Sequence, residues 1–89
     1  MDAHEKHTAE QNLHALAVQR QAVQQQLVEL DVALKELTHA QTAYKIVGGL
    51  MIGADVSTLR DELAKKKEAS EARLSTLERQ TEKLNAKLA

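Results

Sequence analysis

The sequence contains no cysteine, proline, tryptophan or phenylalanine, and its single tyrosine is Tyr44. Without cysteine, disulfide bonds and thiolate metal sites are excluded. Large aromatic rings supply much of the buried area of a compact core, so a globule of 89 residues would be poorly filled. These absences favour long helices packed side by side, in which leucine and alanine make the contacts.

An excess of charge of either sign is also missing, because 12 Lys and Arg residues face 13 Asp and Glu residues. A nucleic-acid-binding surface or a membrane-surface helix would show a basic bias. The first residues, "MDAHEKHTAEQNLHAL", are too polar for a signal peptide, and no apolar run approaches the roughly 18 residues of a membrane span. We therefore expect a soluble, cytoplasmic protein.

Catalytic motifs are lacking as well. The glycines are not followed by the Lys-Ser/Thr pair of a phosphate-binding loop, and no cysteine nucleophile exists. His4, His7 and His14 have spacings that can gather metal ligands on one helix face. They lack an acidic third ligand of clear geometry, so a solvated helix end is the favoured interpretation. We predict no enzyme activity, no cofactor and no bound metal.

Two arms of the chain carry a heptad pattern, in which apolar residues alternate at spacings of three and four. The first arm predicts a helix from about Glu5 to Ala40, roughly 54 Å long, and the second predicts a helix over about 55–88, with Asp55 as N-cap. The second seam is weaker because Lys67 and Ser70 occupy positions that are normally apolar. The first series is Leu13, Leu16, Arg20, Val23, Leu27, Leu30, Leu34 and Leu37. The second series is Arg60, Leu63, Lys67, Ser70, Leu74, Leu77, Thr81, Leu84 and Leu88.

Between the arms, "YKIVGGLMIG" (44–53) predicts a β-hairpin. Gly48 and Gly49 can take the positive φ values of a tight two-residue turn, and Gly53 is expected to let the chain turn into the second helix. The alternative is a flexible apolar loop, although coiled-coil loops are usually shorter and polar. The predicted fold is mainly α: an antiparallel coiled-coil hairpin with one β-hairpin between its helices, in a single domain over 1–89.

An isolated two-stranded hairpin is marginal in water and exposes unpaired backbone groups at both edges. The helices leave from its base and cannot cover its apolar side chains. We therefore predict that the strands pair with equivalent strands of other subunits. The residues of this predicted oligomerisation platform are Tyr44, Ile46, Val47, Gly48, Gly49, Leu50, Met51 and Ile52.

The chain resembles the beta-class subunit of the prefoldin family. The resemblance rests on Tyr44, Lys45, Val47 and Gly48 in the first strand and on Leu-Glu-Arg-Gln at 77–80 in the second helix. It implies a heterohexamer of two alpha-class and four beta-class subunits, whose hairpins join in an inter-subunit β-barrel platform. It also implies an ATP-independent chaperone that binds non-native proteins at its coiled-coil tips and delivers them to a group II chaperonin.

If the tips hold clients, the expected contacts are Leu13, Leu16, Leu84 and Leu88, although these side chains could merely close the seam between the helices. Lys83 and Lys87 are candidates for docking to the chaperonin. Compared with the family, the second arm is short and the N-terminal tip is polar, which predicts a shallower cavity, a narrower client range or a paralogue specialised for another complex.

Two further hypotheses remain open at this point. A prefoldin-like scaffolding subunit of a non-chaperone complex would use the same platform without recognising unfolded clients. A simple homodimeric coiled coil would need no platform, so its oligomeric state would survive replacement of Tyr44–Gly53 by a polar loop.

Overall fold

The computed structural model describes residues 1–89. Helix α1 (Ala3–His39) is followed by strands β1 (Ala43–Val47) and β2 (Leu50–Ala54) and by helix α2 (Val56–Leu88). The helices run antiparallel in a rod with extents of 59 × 24 × 14 Å. This arrangement confirms the predicted fold class, with a β-hairpin at the end where the two helices connect.

An aspartate caps the first turn of each helix. Asp2 Oδ1 accepts a hydrogen bond from the Glu5 amide at 2.8 Å, and Asp55 Oδ2 accepts one from the Thr58 amide at 2.9 Å. The Thr58 hydroxyl donates to the same carboxylate at 2.8 Å. The hydrogen bond from the Thr58 amide has the larger effect and the one from its hydroxyl the smaller, and together they hold the pKa of Asp55 below its ordinary value. The predicted N-cap at Asp55 is confirmed. With Asp2 as its cap, α1 begins at Ala3, two residues before the predicted start at Glu5.

The interior of the rod is one seam between the helices. Nearly every position of the two heptad series is buried or half-buried, which confirms the predicted packing. Ala9, four residues before Leu13, continues the first series by one step and is also buried. Only six of the 89 residues are buried, so the isolated chain has a thin core. The apolar members of this core are Ala9, Val23, Leu30, Leu37 and Leu77.

Polar contacts cross the middle of the seam, where the sequence pattern is weakest. Lys67 Nζ lies 2.6 Å from Asp31 Oδ1, and the Ser70 hydroxyl donates to Gln26 Oε1 at 3.4 Å. The hydrogen bond to Asp31 and the attraction of its charge raise the pKa of Lys67. Asp31 therefore pairs across the seam, not with Lys35 on its own helix as the i, i+4 spacing suggests. The polar residues of the second series fix the register of the two helices.

Two arginines of the heptad series behave differently from their apolar neighbours. Arg60 is exposed, and its Nη2 donates to the Leu37 carbonyl at 2.7 Å. That carbonyl belongs to the last turn of α1, where oxygens lack intrahelical partners and a cation is favourable. Arg60 thus joins the start of α2 to the end of α1 instead of packing in the seam. Arg20 is half-buried, and its Nε is buried without a hydrogen-bond partner.

The hairpin pairs β1 and β2 antiparallel, with Val47 opposite Leu50 and Tyr44 opposite Gly53. Gly48 and Gly49 form the turn with φ values of 55° and 81°, which lie in the region that favours glycine. The expectation for Gly53 is wrong, because its φ is not positive and β2 continues through it to Ala54.

Neither helix contains a stretch that is both long and apolar enough to cross a membrane.

Candidate functional site

The hairpin exposes one wholly apolar face. Directly opposed residues of an antiparallel pair point to the same face, so Ile46 and Met51 lie together, with Tyr44 beside them. These three side chains are 73%, 70% and 62% exposed. These side chains stay largely in water, because both helices leave from the base of the hairpin and do not lie over this face.

The other face of the hairpin turns partly toward α2. Lys45 lies opposite Ile52 on this face, and its Nζ is 3.6 Å from Glu62 Oε2 on α2. Ile52 and Val47 are accordingly the least exposed of the large apolar hairpin residues, at 47% and 49%. Both side chains are still exposed, so this face also keeps apolar area in water.

Both edges of the two-stranded sheet are free, because β1 and β2 pair only with each other. Unpaired backbone groups at such edges are a template for another strand. The hairpin therefore combines free edges with apolar faces, which is the geometry of an element that completes its sheet with strands from other subunits.

The four leucines predicted at the open end of the rod lie in the seam. Leu13, Leu16, Leu84 and Leu88 are all half-buried. These side chains pack between the helices in the closed rod, so they become accessible to another protein only when the terminal turns separate, which costs little at helix ends.

The two lysines predicted to dock to the chaperonin are exposed on α2. Lys83 lines a shallow polar depression with Thr76, Arg79 and Gln80. Lys87 lies one turn further toward the open end. Neither lysine has an ion-pair partner within the chain.

Three exposed valines on α1 were missed by the heptad analysis. Val18, Val28 and Val32 are 54%, 63% and 55% exposed, on the side of α1 away from the seam. Valine is a modest helix former, and β-branched residues at non-seam positions are the signal that could have revealed this surface. The valines offer apolar contact area without any opening of the rod.

The histidines do not form a metal centre. No group of three or more histidine and acidic side chains is arranged to hold a metal ion. His4 and His7 lie exposed in the first turns of α1, and His14 is exposed further along.

Comparison with known proteins assigns this architecture. The family model described as "Prefoldin subunit" matches residues 3–89. The chain belongs to the prefoldin family. It is 40% identical over 82 residues to prefoldin subunit beta of Thermococcus onnurineus, covering 89% of this chain and 71% of that protein. It is 36% identical over 83 residues to prefoldin subunit beta of Archaeoglobus fulgidus, covering 90% of this chain and 72% of that protein.

A solved prefoldin structure has the same fold. The crystal structure of the prefoldin beta subunit from Thermococcus strain KS-1 superposes with a TM-score of 0.86 at 37% identity, over 94% of this chain and 76% of that one. The resemblance seen in the hairpin and in Leu-Glu-Arg-Gln is thereby confirmed. Prefoldin subunits are chaperone subunits of a hetero-oligomeric complex and not enzymes, and this similarity does not favour the scaffolding alternative.

Proposed function

We propose that this prefoldin chain is a cytoplasmic, beta-class subunit of an ATP-independent holdase. In this proposal, residues 1–89 act as one domain, and four copies join two alpha-class subunits. The coiled-coil tips bind non-native proteins and deliver them to a group II chaperonin. The observation that carries the proposal is the hairpin, which has two free edges and exposes Ile46 and Met51 to 73% and 70%.

The platform follows from the physical needs of that hairpin. A strand added at either edge would satisfy the free backbone groups of β1 or β2, and a second layer of strands would remove the apolar faces from water. The platform residues proposed from the sequence all lie in these strands or in the turn between them: Tyr44, Ile46, Val47, Gly48, Gly49, Leu50, Met51 and Ile52.

Client binding is proposed at the open end of the rod. Leu13, Leu16, Leu84 and Leu88 would contact a client after the terminal turns of the two helices separate. Their half-burial supports a mechanism in which apolar area is withheld in the empty chaperone and offered only when the ends open. The exposed Lys83 and Lys87 are proposed as docking residues for the chaperonin.

The test replaces the two tip leucines of α2, Leu84→Ser and Leu88→Ser, in the complex with an alpha-class subunit. We expect weaker suppression of the aggregation of a denatured client, because the opened tip would have lost two large apolar side chains. Light scattering of the client reports aggregation, and the mass of the complex shows whether assembly is intact.

Val18→Ser is the matched variant, since it removes apolar area from the exposed outer face of α1. Unchanged suppression by the leucine variant in an intact complex would contradict the tip assignment. A loss of suppression by the Val18 variant alone would place the client on the outer face.

A further inference from the structure

A groove lies beside the hairpin where the two helices meet it, with a volume of about 450 Å³. Leu37, which is buried, contributes to it from α1, and Leu59 and Leu63 contribute from α2. Small side chains leave the space open, because Ala33 and Ala40 stand where larger residues would fill it. Seven of its ten lining residues are hydrophobic, so the groove exposes an apolar surface to water unless another molecule occupies it.

This groove, called here the neck groove, runs along the outer edge of β1. Tyr44 and Lys45 both line it, although consecutive strand residues point to opposite faces of a sheet. A surface that contacts both must therefore lie at the strand edge and not on one face. Thr42 and Ala43 extend the same border back toward the end of α1. The neck groove is continuous with the edge that a neighbouring strand would use.

The edge of β2 has more polar surroundings than the edge of β1. The depression on that side contains Asp55, Thr58 and Glu62, and only three of its eight lining residues are hydrophobic. Leu59 borders both depressions, but of the two only the groove on the β1 side has apolar lining from both helices, with Leu37 on α1 and Leu63 on α2. A strand added at β1 lies about 4.8 Å from it, so its side chains near Ala43 would stand over the neck groove.

We infer that the neck groove is part of the subunit interface and receives an aliphatic side chain from the hairpin of a neighbouring prefoldin subunit added at the edge of β1. This inference rests on the proposed platform and extends it from the strands to α1 and α2. Such a contact fixes the angle between a neighbouring hairpin and this rod, because a side chain seated between two helices restrains the strand that carries it.

The test fills the neck groove with Ala33→Trp and compares it with Ala22→Trp, which places the same ring on an exposed position of the same helix. Each full-length variant is mixed with an alpha-class subunit, and the dissociation of the complex is followed by analytical ultracentrifugation. We expect the Ala33 variant to weaken assembly about tenfold or more, the factor that corresponds to losing the burial of one aliphatic side chain. The Ala22 variant should assemble like the wild type, and circular dichroism should show that both keep their helices.

Equal assembly of the two variants would overturn the inference while leaving the platform intact. Failure of the wild-type chain to assemble with any alpha-class subunit would instead overturn the platform and the inference together. A photo-crosslinking side chain at position 33 gives a readout that does not depend on affinity. Capture of a hairpin peptide from another subunit supports the inference, and capture of only a client or of the chain's own residues overturns it.

Discussion

Single side chains in the seam decide how the two helices are aligned. Lys67 and Ser70 are poor seam residues in an all-apolar coiled coil, yet each contacts a polar partner on α1. These polar contacts form in one register and are lost when the helices shift, so they favour the observed alignment. Arg20 is the exception, because its Nε stays buried without a partner. These residues give up part of the seam's apolar burial for a defined register.

The Lys67–Asp31 pair predicts how stability changes at high pH. The pKa of Lys67 is raised above its ordinary value of 10.5 by Asp31, so the pair stabilises the fold fully below the pKa of the unfolded chain. That contribution is lost as pH rises through the raised folded pKa. The midpoint temperature of thermal unfolding should fall less steeply between about pH 9 and 12 for Lys67→Gln than for the wild type. Lys65→Gln, which removes a lysine outside any ion pair, should retain the wild-type slope, and identical slopes for all three proteins would contradict the prediction.

Among the elements, the hairpin depends on its turn and the helices depend on each other. The two glycines of the turn have positive φ, whereas Gly53 in β2 does not. A side chain at Gly49 would meet no neighbouring atom within 4 Å, so its requirement for glycine comes from the backbone alone. The same alteration at Gly53 also meets open space. Comparing substitutions at Gly49 and Gly53 therefore isolates the effect of backbone conformation, because packing is the same at both positions.

Gly49→Ala should loosen the hairpin by about 1–2 kcal/mol, the cost of placing an L-residue in the left-handed region. Amide hydrogen exchange of Ala43–Val47, measured in the complex with an alpha-class subunit, should accelerate roughly 5–30-fold. Gly53→Ala should change this rate far less, because its φ is compatible with alanine. Equal acceleration by the two substitutions would show that the positive φ of Gly49 is not the limiting feature.

On the scale of the whole molecule, one chain is an incomplete structure. Six buried residues in 89 provide little apolar burial compared with a globular domain of similar length, while the hairpin leaves its largest apolar side chains in water. The membership of a hetero-oligomeric prefoldin complex accounts for this imbalance, since assembly would bury what the single chain exposes. The apolar residues of the seam are therefore covered within the chain, whereas those of the hairpin would be buried only between chains.

Ile46→Ser with Met51→Ser should prevent assembly with an alpha-class subunit and leave the helical content unchanged. The physical reason is that the exposed hairpin face would no longer gain from leaving water. Val28→Ser with Val32→Ser makes the same kind of change at comparably exposed positions of α1 and should not alter the mass of the complex. Multi-angle light scattering distinguishes the two outcomes, and a full-mass complex from the hairpin variant would contradict the platform.

The sequence by itself determined the helix–hairpin–helix order, the seam and the turn, because heptad spacing, paired glycines and strand-like apolar residues are local signals. Only the tertiary structure revealed the partners of Asp31 and Arg60, since their contacts join residues 36 and 23 positions apart in the chain. The contact between Ser70 and Gln26 and the neck groove were likewise beyond the sequence. Both depend on how closely two helices approach, and spacing along one helix does not contain that distance.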